Sequence, residues 1–494
     1  MDAAREAEAV ILSRQDAMNS VIDRFESPVQ RFYCGAAVLV TGGSGFLGKQ
    51  LIEKLFRSCQ IKKLFILIRP KKGNTVQERL KNLIECSVFD ELRKKQPNFA
   101  SKIVGVEGDI AELRLGICDK DWNQLVDEVD IVFHVAATVR FDEPLRTATL
   151  INVRGTREVI TLARECKHLR CLNYISTSFT HATKSRTRTE IAEQFYPCPV
   201  PPDVMIELAE SVEEERLNSC TEPLIQDWPN TYTFTKALAE ETVRTLAADL
   251  PVCIVKPPFV TSSYIEPTPG WVDFSCLYGP MGVLLGVGLG VLHVGFASLD
   301  RTLSYAPVDY VNNAILAASW DAIERRRRGE QDVSIYTISA YNFGTNWRFF
   351  GNWLRSDEFK RLSTPKAVWY CYMLDTDNRF VYWTLTWFLH YIPAYILDAI
   401  CSTLDLMPKE FPFPSFVHVY TKIYKISTVY AYFLSNEWKF RDDNLQKMIG
   451  NMTPEDKAIF NCDLATIDYK EIIKSWCIGL RRFVIKDGLK NSQY

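Results

Sequence analysis

Residues 36–48 read AAVLVTGGSGFLG, and residues 49–59, KQLIEKLFRSC, continue them with the spacing of an amphipathic helix. An apolar run, a glycine-rich turn and a helix in that order decide the fold. Gly42 permits a sharp exit from a strand. Gly45 has no Cβ, so its backbone can close on a pyrophosphate. Gly48 lets the helix pack against the sheet. The free N–H groups and partial positive charge at the start of the helix then face the phosphates. A glycine triplet alone is weak evidence; the strand before it and the helix after it give it meaning.

Outward from this turn the pattern repeats. KLFILIRP, KIVGVEGD, DIVFHVAA, LRCLNYIST and PVCIVKPPFV read as five further strands, and NVRGTREVITLAREC as a helix. Short, nearly continuous apolar strands between helices predict a parallel sheet covered on both faces, the doubly wound α/β design. Its ligand crevice lies beyond the carboxyl ends of the strands, where every motif below falls. The glycine spacing, G-x-x-G-x-x-G, resembles that of the extended short-chain reductases, a Rossmann-type fold.

The expected organisation has three parts. Residues 1–35 form a polar, helical lead-in; 36–360 form the dinucleotide-binding domain with its substrate subdomain; and 361–494 form a helical, aromatic-rich domain. GPMGVLLGVGLGVLHVGF, residues 279–296, is too short to span a bilayer and reads as a wall or loop of the substrate cavity, with membrane contact as the other reading. FVYWTLTWFLHYIPAYILDAI, residues 380–400, is long enough to span. Its Trp and Tyr content suits the headgroup level, and a buried helix pair or a homodimer surface are the alternatives. ERRRRGE, residues 324–330, reads as a solvated helix end, with anionic lipid as a second option.

The 494 residues carry a formal net charge of -2, so no broad basic field points to nucleic acid. The fourteen cysteines form no C-x-x-C pair and have no zinc-ligand spacing; reduced thiols and no metal are expected. No charged start followed by an apolar segment marks a secretory signal, so an intracellular, not secreted, location is expected.

Cofactor residues follow from the strand ends. Thr41, Gly42, Gly43, Ser44, Gly45, Phe46, Leu47 and Gly48 make the phosphate turn. An NAD site wants an acidic residue after the second strand; this chain has Arg69, with Lys72 close by. A guanidinium can clamp a 2′-phosphate, which favours NADPH. Asp109, with Ile110 beside it, suits the adenine edge. Ala136 and Ala137 leave room for the cofactor backbone, and Pro257 closes the wall after the sixth strand.

Tyr232 and Lys236 stand four apart, on one helical face, so both heads can reach one cofactor. The ammonium is expected to lower the phenol's pKa so that it gives up a proton near neutral pH. At the end of the fifth strand Ser176, Thr177 and Ser178 are adjacent hydroxyls. Thr177 is favoured as the carbonyl-oxygen donor, with Ser178 as runner-up. Asn152 either orients Lys236 or a water, or caps a helix start.

TGGSGFLGK, VFHVAATVRFDEPL, INVRGT, YISTSF and WPNTYTFTKALAE, with FYCGAAVLVTGG, EPTPGWVD, FLSNEWKFRDDN and EDKAIFNCDLATIDYKEII, resemble the signature runs of the alcohol-forming fatty acyl-CoA reductases over residues 30–485. The resemblance implies an extended short-chain domain followed by a helical domain that helps bind the acyl chain. It implies reduction of a long-chain fatty acyl-CoA through an aldehyde to a primary alcohol, with two NADPH consumed and CoA released. Tyr232 would then be the proton donor, Lys236 its partner and Thr177 the carbonyl support. Membrane association facing the cytosol, at the endoplasmic reticulum, peroxisome or lipid droplet, is expected. Lys256 stands where the family usually has Arg, Asp273 to Gly279 depart from its usual run, and Asn346-Trp347 lacks an intervening Pro. Other extended short-chain enzymes, of the hydroxysteroid or nucleotide-sugar type, share the glycine turn and Tyr-x-x-x-Lys but do not need the aromatic region. A lipid-binding protein that kept NADPH but lost activity is the reading of another class; the intact Tyr232, Lys236 and Thr177 weigh against it.

Overall fold

The computed structural model describes residues 3–71, 73–277, 279–342, 344–404 and 415–489. Its centre is a seven-stranded parallel sheet. In chain order the strands are β1 (Ala37–Thr41), β2 (Lys63–Ile68), β3 (Ile103–Glu107), β4 (Ile131–His134), β5 (Cys171–Ile175), β6 (Val252–Lys256) and β7 (Ser334–Thr337), and across the sheet they run β3-β2-β1-β4-β5-β6-β7. The six strands expected from sequence are all present; β7 was not anticipated. Val40 pairs with Ile66 on one side and Phe133 on the other, so β1 is central and buried on both faces.

Alternation along β1 shows why both faces need cover. Val38 and Val40 join one apolar cluster with Leu51, Ile52 and Leu55 of helix α2 (Phe46–Ser58), whereas Leu39 joins another with Val159 and Leu162 of helix α3 (Gly155–Glu165). Helix α4 (Thr231–Leu246) lies on the α3 face and helix α5 (Val308–Arg327) on the α2 face. At the end of α5, Arg325 and Arg328 pair with Glu330 and Arg327 with Glu324, while Arg326 donates to the Leu250 and Asp249 carbonyls.

The last elements wrap back on this frame. The lead-in helix (Ala3–Ile22) packs beside Tyr469–Gly479, and Arg482 pairs with Glu8. Gly270 of the EPTPGWVD run and Gly479 approach so closely that a Cβ on Gly479 would lie 1.7 Å from the Gly270 carbonyl oxygen. The substrate-side loop and the C-terminal helix are thus one packed unit. The apolar segment after residue 279 is a helix, Gly279–Gly288, not a loop.

Residues 380–400 belong to one winding run: a helix at Arg379–Thr386, a π-helical turn at Trp387–Tyr391 and a helix at Ile392–Leu404. The reading as a buried pair fails, because Phe380 is 73% and Phe388 65% exposed. No described helix is long and apolar enough to cross a membrane.

A buried ion cluster ties the layers together. Glu266 accepts from Lys54 Nζ at 2.6 and 2.8 Å, from Arg57 at 2.5 Å and from Asn313 at 3.1 Å, while Lys54 also donates to the Ile459 carbonyl at 2.6 Å. Lys54 and Arg57 come from α2 and Asn313 from α5. Removing one partner strands buried charge, which costs roughly 3–5 kcal/mol. Glu266→Ala is therefore expected to lower the unfolding free energy by that amount, read by denaturant titration. A loss below about 1 kcal/mol, the scale of an exposed pair, would show the cluster is not desolvated.

Candidate active site

The glycine turn sits where the strand order changes direction, between β1 and β4. Gly42 has φ +74°, and a Cβ there would meet the Ala136 backbone nitrogen at 2.6 Å. A Cβ on Gly48 would meet the Gly42 carbonyl oxygen at 2.4 Å. The strand exit, the loop after β4 and the start of α2 are therefore in backbone contact. Ser44 and Gly45 are exposed, Phe46 and Leu47 half-buried, and Gly45 caps α2 with no side-chain hydrogen bond. Among the described residues nothing caps the first N–H groups of α2, which fits an anionic pyrophosphate.

Two of the expected cofactor residues are buried. A Cβ on Gly43 would meet Ile66 at 2.8 Å and Ile52 at 3.0 Å, so the turn lies close on the apolar layer there. Thr41 is fully buried; its hydroxyl lies 2.8 Å from His134 Nδ1 and accepts from the Ala136 N–H at 3.3 Å. It braces the turn from below. His134 extends that brace to Thr156 of α3 at 3.0 Å, and burial, with Lys236 nearby, pushes its imidazole down to about 3.

At the end of β2, Arg69 is exposed and its Nε lies 3.8 Å from Asp109 Oδ2. Arg79, from the helix Val76–Ile84, donates to the Arg69 carbonyl and brings a second guanidinium to the same corner. Sequence reading passed over Arg79; its signal was an arginine one helical turn after a capping Thr75, ten residues beyond Arg69. Lys72 lies outside the described residues. Asp109 accepts from the Ala111 N–H at 3.0 Å, and Ile110 fills the space over Gly155. Ala136 and Ala137 are half-buried at the end of β4, and the buried Pro257 offers its carbonyl to Ser178 N–H at 2.9 Å and Thr177 Oγ1 at 3.4 Å.

Helix α4 begins on Asn230, whose side chain accepts from the Thr233 N–H at 2.9 Å, and places Tyr232 and Lys236 over the end of β5. Lys236 Nζ donates to the Ile175 carbonyl at 2.7 Å and the Tyr174 hydroxyl at 3.3 Å, and lies 4.8 Å from the Tyr174 ring centre. Burial pushes the ammonium down to about 7, against the pull of Glu240. Burial pushes the Tyr232 phenol up to about 12, with a hydrogen bond to the Thr177 side chain opposing it. The expected acidification of Tyr232 by Lys236 is corrected here. Lys236 is aimed at strand β5, so desolvation governs both groups.

Thr177 is the hydroxyl that meets Tyr232, and it also caps the turn Ser178–His181 by accepting from the Phe179 N–H at 3.3 Å. Ser178 Oγ is fully buried with no hydrogen-bond partner among the described residues. Asn152 neither starts a helix nor touches Lys236. It lies in a π-helical turn, accepts from the Thr138 N–H at 3.0 Å and donates to Thr235 Oγ1 at 3.0 Å. It thereby fastens the loop after β4 to α4.

Aromatic side chains roof the phenol. Phe141 stacks on Tyr232 with ring centres 5.7 Å apart, and Tyr430 and Phe433 pack on Phe141 at 5.1 and 5.2 Å. Both come from the helix Phe416–Ser435, which is also joined to that loop by Lys425 and Asp142 at 3.2 Å. Of the departures noted in the sequence, Asp273 pairs with Lys49 of α2, and Asn346 caps the helix Trp347–Leu354 by accepting from the Phe349 N–H at 2.9 Å.

This arrangement has counterparts. A family model described as male sterility protein matches residues 40–315, and a second with the same description matches residues 389–487. The chain is 37% identical to the fatty acyl-CoA reductase wat of Drosophila melanogaster over 94% of its own length and 87% of the relative. It is 34% identical to fatty acyl-CoA reductase 1 of Rattus norvegicus over 93% of the chain and 87% of the relative. Among solved structures, the terminal reductase domain of the myxalamid pathway shares the fold, with a TM-score of 0.57 at 22% identity over 91% of each chain. The reductase domain of a nonribosomal peptide synthetase from Mycobacterium tuberculosis does so with a TM-score of 0.58 at 18% identity, over 96% of this chain and 99% of that one. A nicotinamide dinucleotide-binding fold, the Tyr232–Lys236 helix and relatives that align along nearly the whole chain converge, and the chain belongs to the male sterility protein family, that of the fatty acyl-CoA reductases.

Proposed function

We propose that this chain reduces a long-chain fatty acyl-CoA to the primary alcohol, with NADPH as reductant and CoA as the released product. The observation that carries the reading is the phenol of Tyr232, on the helix laid over the end of β5 that leads into Thr177, and roofed by Phe141, Tyr430 and Phe433. The relatives' names and the aromatic roof favour a fatty acyl substrate over a steroid or a nucleotide sugar. Arg69 and Arg79, two guanidiniums with one exposed at the end of β2, favour the 2′-phosphate of NADPH.

The free N–H groups at the start of α2 would hold the pyrophosphate of the cofactor, whose nicotinamide would supply hydride to the substrate carbonyl carbon. The chain's own residues do the rest. Thr177 and Tyr232 present two hydroxyls to the carbonyl oxygen and stabilise the charge that develops on it. Collapse of the first adduct breaks the carbon–sulfur bond and releases thiolate. In the second reduction the Tyr232 phenol gives its proton to the alkoxide. A phenol held at about 12 can do this, because an alkoxide is a far stronger base than a phenolate. The Lys236 ammonium, one turn along α4 and held at the end of β5, would bind the ribose of the nicotinamide.

We also propose that the protein lies on a cytosol-facing membrane surface, without crossing it. Phe380 to Leu397 contains no Asp, Glu, Lys or Arg, and Phe380, Trp383, Phe388, Tyr395 and Ile396 all stand exposed. An apolar face of that kind marks a lipid or protein partner, and its aromatic content suits the headgroup layer. The fourteen free thiols suit a reducing compartment.

Mass spectrometry of products over a panel of acyl-CoAs with NADPH tests the main reading: fatty alcohol and free CoA are expected. Tyr232→Phe is expected to cut alcohol formation by about 100-fold or more, the scale of general-acid catalysis, with NADPH affinity nearly unchanged. An active Phe variant would remove Tyr232 from the proton-donor role. Arg69→Asp is expected to weaken NADPH binding by roughly 10–100-fold, the loss of one or two charge-assisted bonds, and NADH binding much less. Equal effects on both cofactors would show that Arg69 is not the clamp. In vesicle flotation, Trp383→Ser with Phe388→Ser is expected to abolish lipid binding. If that variant instead turns a dimer into a monomer, the face belongs to a second copy.

A further inference from the structure

One turn beyond Lys236 on α4 stands Glu240, 1% exposed and outside the roles assigned so far. Its carboxylate gathers four groups. Ser176 Oγ donates at 2.5 Å, Thr180 Oγ1 lies at 2.8 Å, Lys256 Nζ donates at 3.0 Å, and His181 Nε2 is 3.6 Å away. Ser176 and Thr180 bracket Thr177, and the Thr180 hydroxyl also lies 2.5 Å from the Thr177 carbonyl oxygen. Lys256 comes from the end of β6, immediately before Pro257, whose carbonyl meets Thr177 and Ser178. One carboxylate therefore joins the helix of Tyr232 and Lys236, the turn of Thr177 and the last residue of β6.

A buried ion pair is weak evidence for stability, since well-packed apolar residues of similar volume usually serve at least as well. The Glu240–Lys256 pair, with both side chains 2% exposed, therefore invites a role in the reaction. The groups around Lys236 are Tyr174 and the Ile175 carbonyl from β5, His134 from β4, and Tyr232 and Glu240 from α4. Around Glu240 stand Lys256 from β6 and His181, Ser176 and Thr180 from the turn. Glu240 alone among these carries negative charge at neutral pH.

We infer that Glu240, held by Lys256, is a positioning residue of the reduction: it locks the turn bearing Thr177 against the helix bearing Tyr232 and sets a carboxylate one turn from Lys236. The inference rests on the reading of Tyr232 and Lys236 given above. The electrostatics agree with the geometry. Burial alone would raise the Glu240 carboxyl, yet Lys256, His181 and Ser176 outweigh it and hold the group down at about 2. Burial drives Lys236 down to about 7, and Glu240 is the group that resists. Lys236 is charged below its pKa, so activity that needs the ammonium fades as pH rises through that value. Removing Glu240 lowers the value further, and the fade then starts at lower pH.

The test uses the full chain, palmitoyl-CoA and NADPH, with kcat followed from acid to alkaline pH and NADPH affinity measured by fluorescence. Wild type is measured first: absence of alcohol and thiol release would overturn the functional reading itself and this inference with it. Glu240→Gln combined with Lys256→Met removes both charges and leaves no stranded partner. Its alkaline limb is expected to move about one pH unit toward acid, a tenfold change in the Lys236 equilibrium, with NADPH affinity within about twofold of wild type. Glu240→Asp keeps the charge but shortens its reach. Its limb is expected to stay in place while kcat falls roughly tenfold or more and KM holds, as misplacement on the ångström scale produces. An unmoved limb in a double variant that binds NADPH overturns the inference, and so does a Glu240→Asp enzyme with wild-type kcat. If the double variant fails to bind NADPH, the Asp variant alone decides.

Discussion

The backbone contact between Gly42 and Ala136 is the constraint on which the remaining structure turns. Any side chain at residue 42 would enter the main chain of the loop after β4, and the φ of +74° already restricts that position to glycine. The ends of β1 and β4 are therefore held together beside the start of α2, whose N–H groups suit a phosphate. Buried side chains continue the contact inward. Thr41 bonds His134, His134 bonds Thr156, and the His134 ring lies 5.5 Å from that of Tyr174, which meets Lys236. The glycine turn and the Lys236 end of the site thus share one packed floor.

Burial dominates the electrostatics of that floor. The same desolvation that lifts the Tyr232 phenol lowers the Lys236 ammonium, so in this structure the two groups do not form the acidified pair that their spacing suggests. What the site offers is preorganisation: hydroxyls, an ammonium and helix N–H groups held in place by the fold, with aromatic rings packed over the phenol. Dipoles held in a dry site stabilise charge more strongly than they would in water.

Six strands were legible because each is a nearly continuous apolar run ending in a motif. The seventh, Ser334–Thr337, is four residues of mixed polarity after a charged stretch, and only its pairing with β6 makes it a strand. The glycine turn between β1 and α2, the strand end before Thr177 and the helix that carries Tyr232 and Lys236 were legible because local spacing carries them. The partners of Asn152, Thr138 and Thr235, were not legible because the fold brings them together. Glu240 with Lys256, Arg79 beside Arg69, and Phe141 beneath Phe433 are likewise meetings of distant segments, which no local period records. The aromatic stretch at 380–400 looked like one element of undecided placement; a π-helical turn divides it and leaves its rings facing outward.

The central claim is that a single site, with one phenol and one nucleotide turn, carries a thioester through two successive reductions. The stoichiometry of NADPH oxidised to CoA thiol released, measured on purified protein with a long-chain acyl-CoA, tests it most directly. Two NADPH per thiol, with fatty alcohol accumulating and aldehyde remaining minor, is the predicted result. NADPH consumption without thiol release, or one NADPH per thiol with aldehyde as the final product, would contradict it.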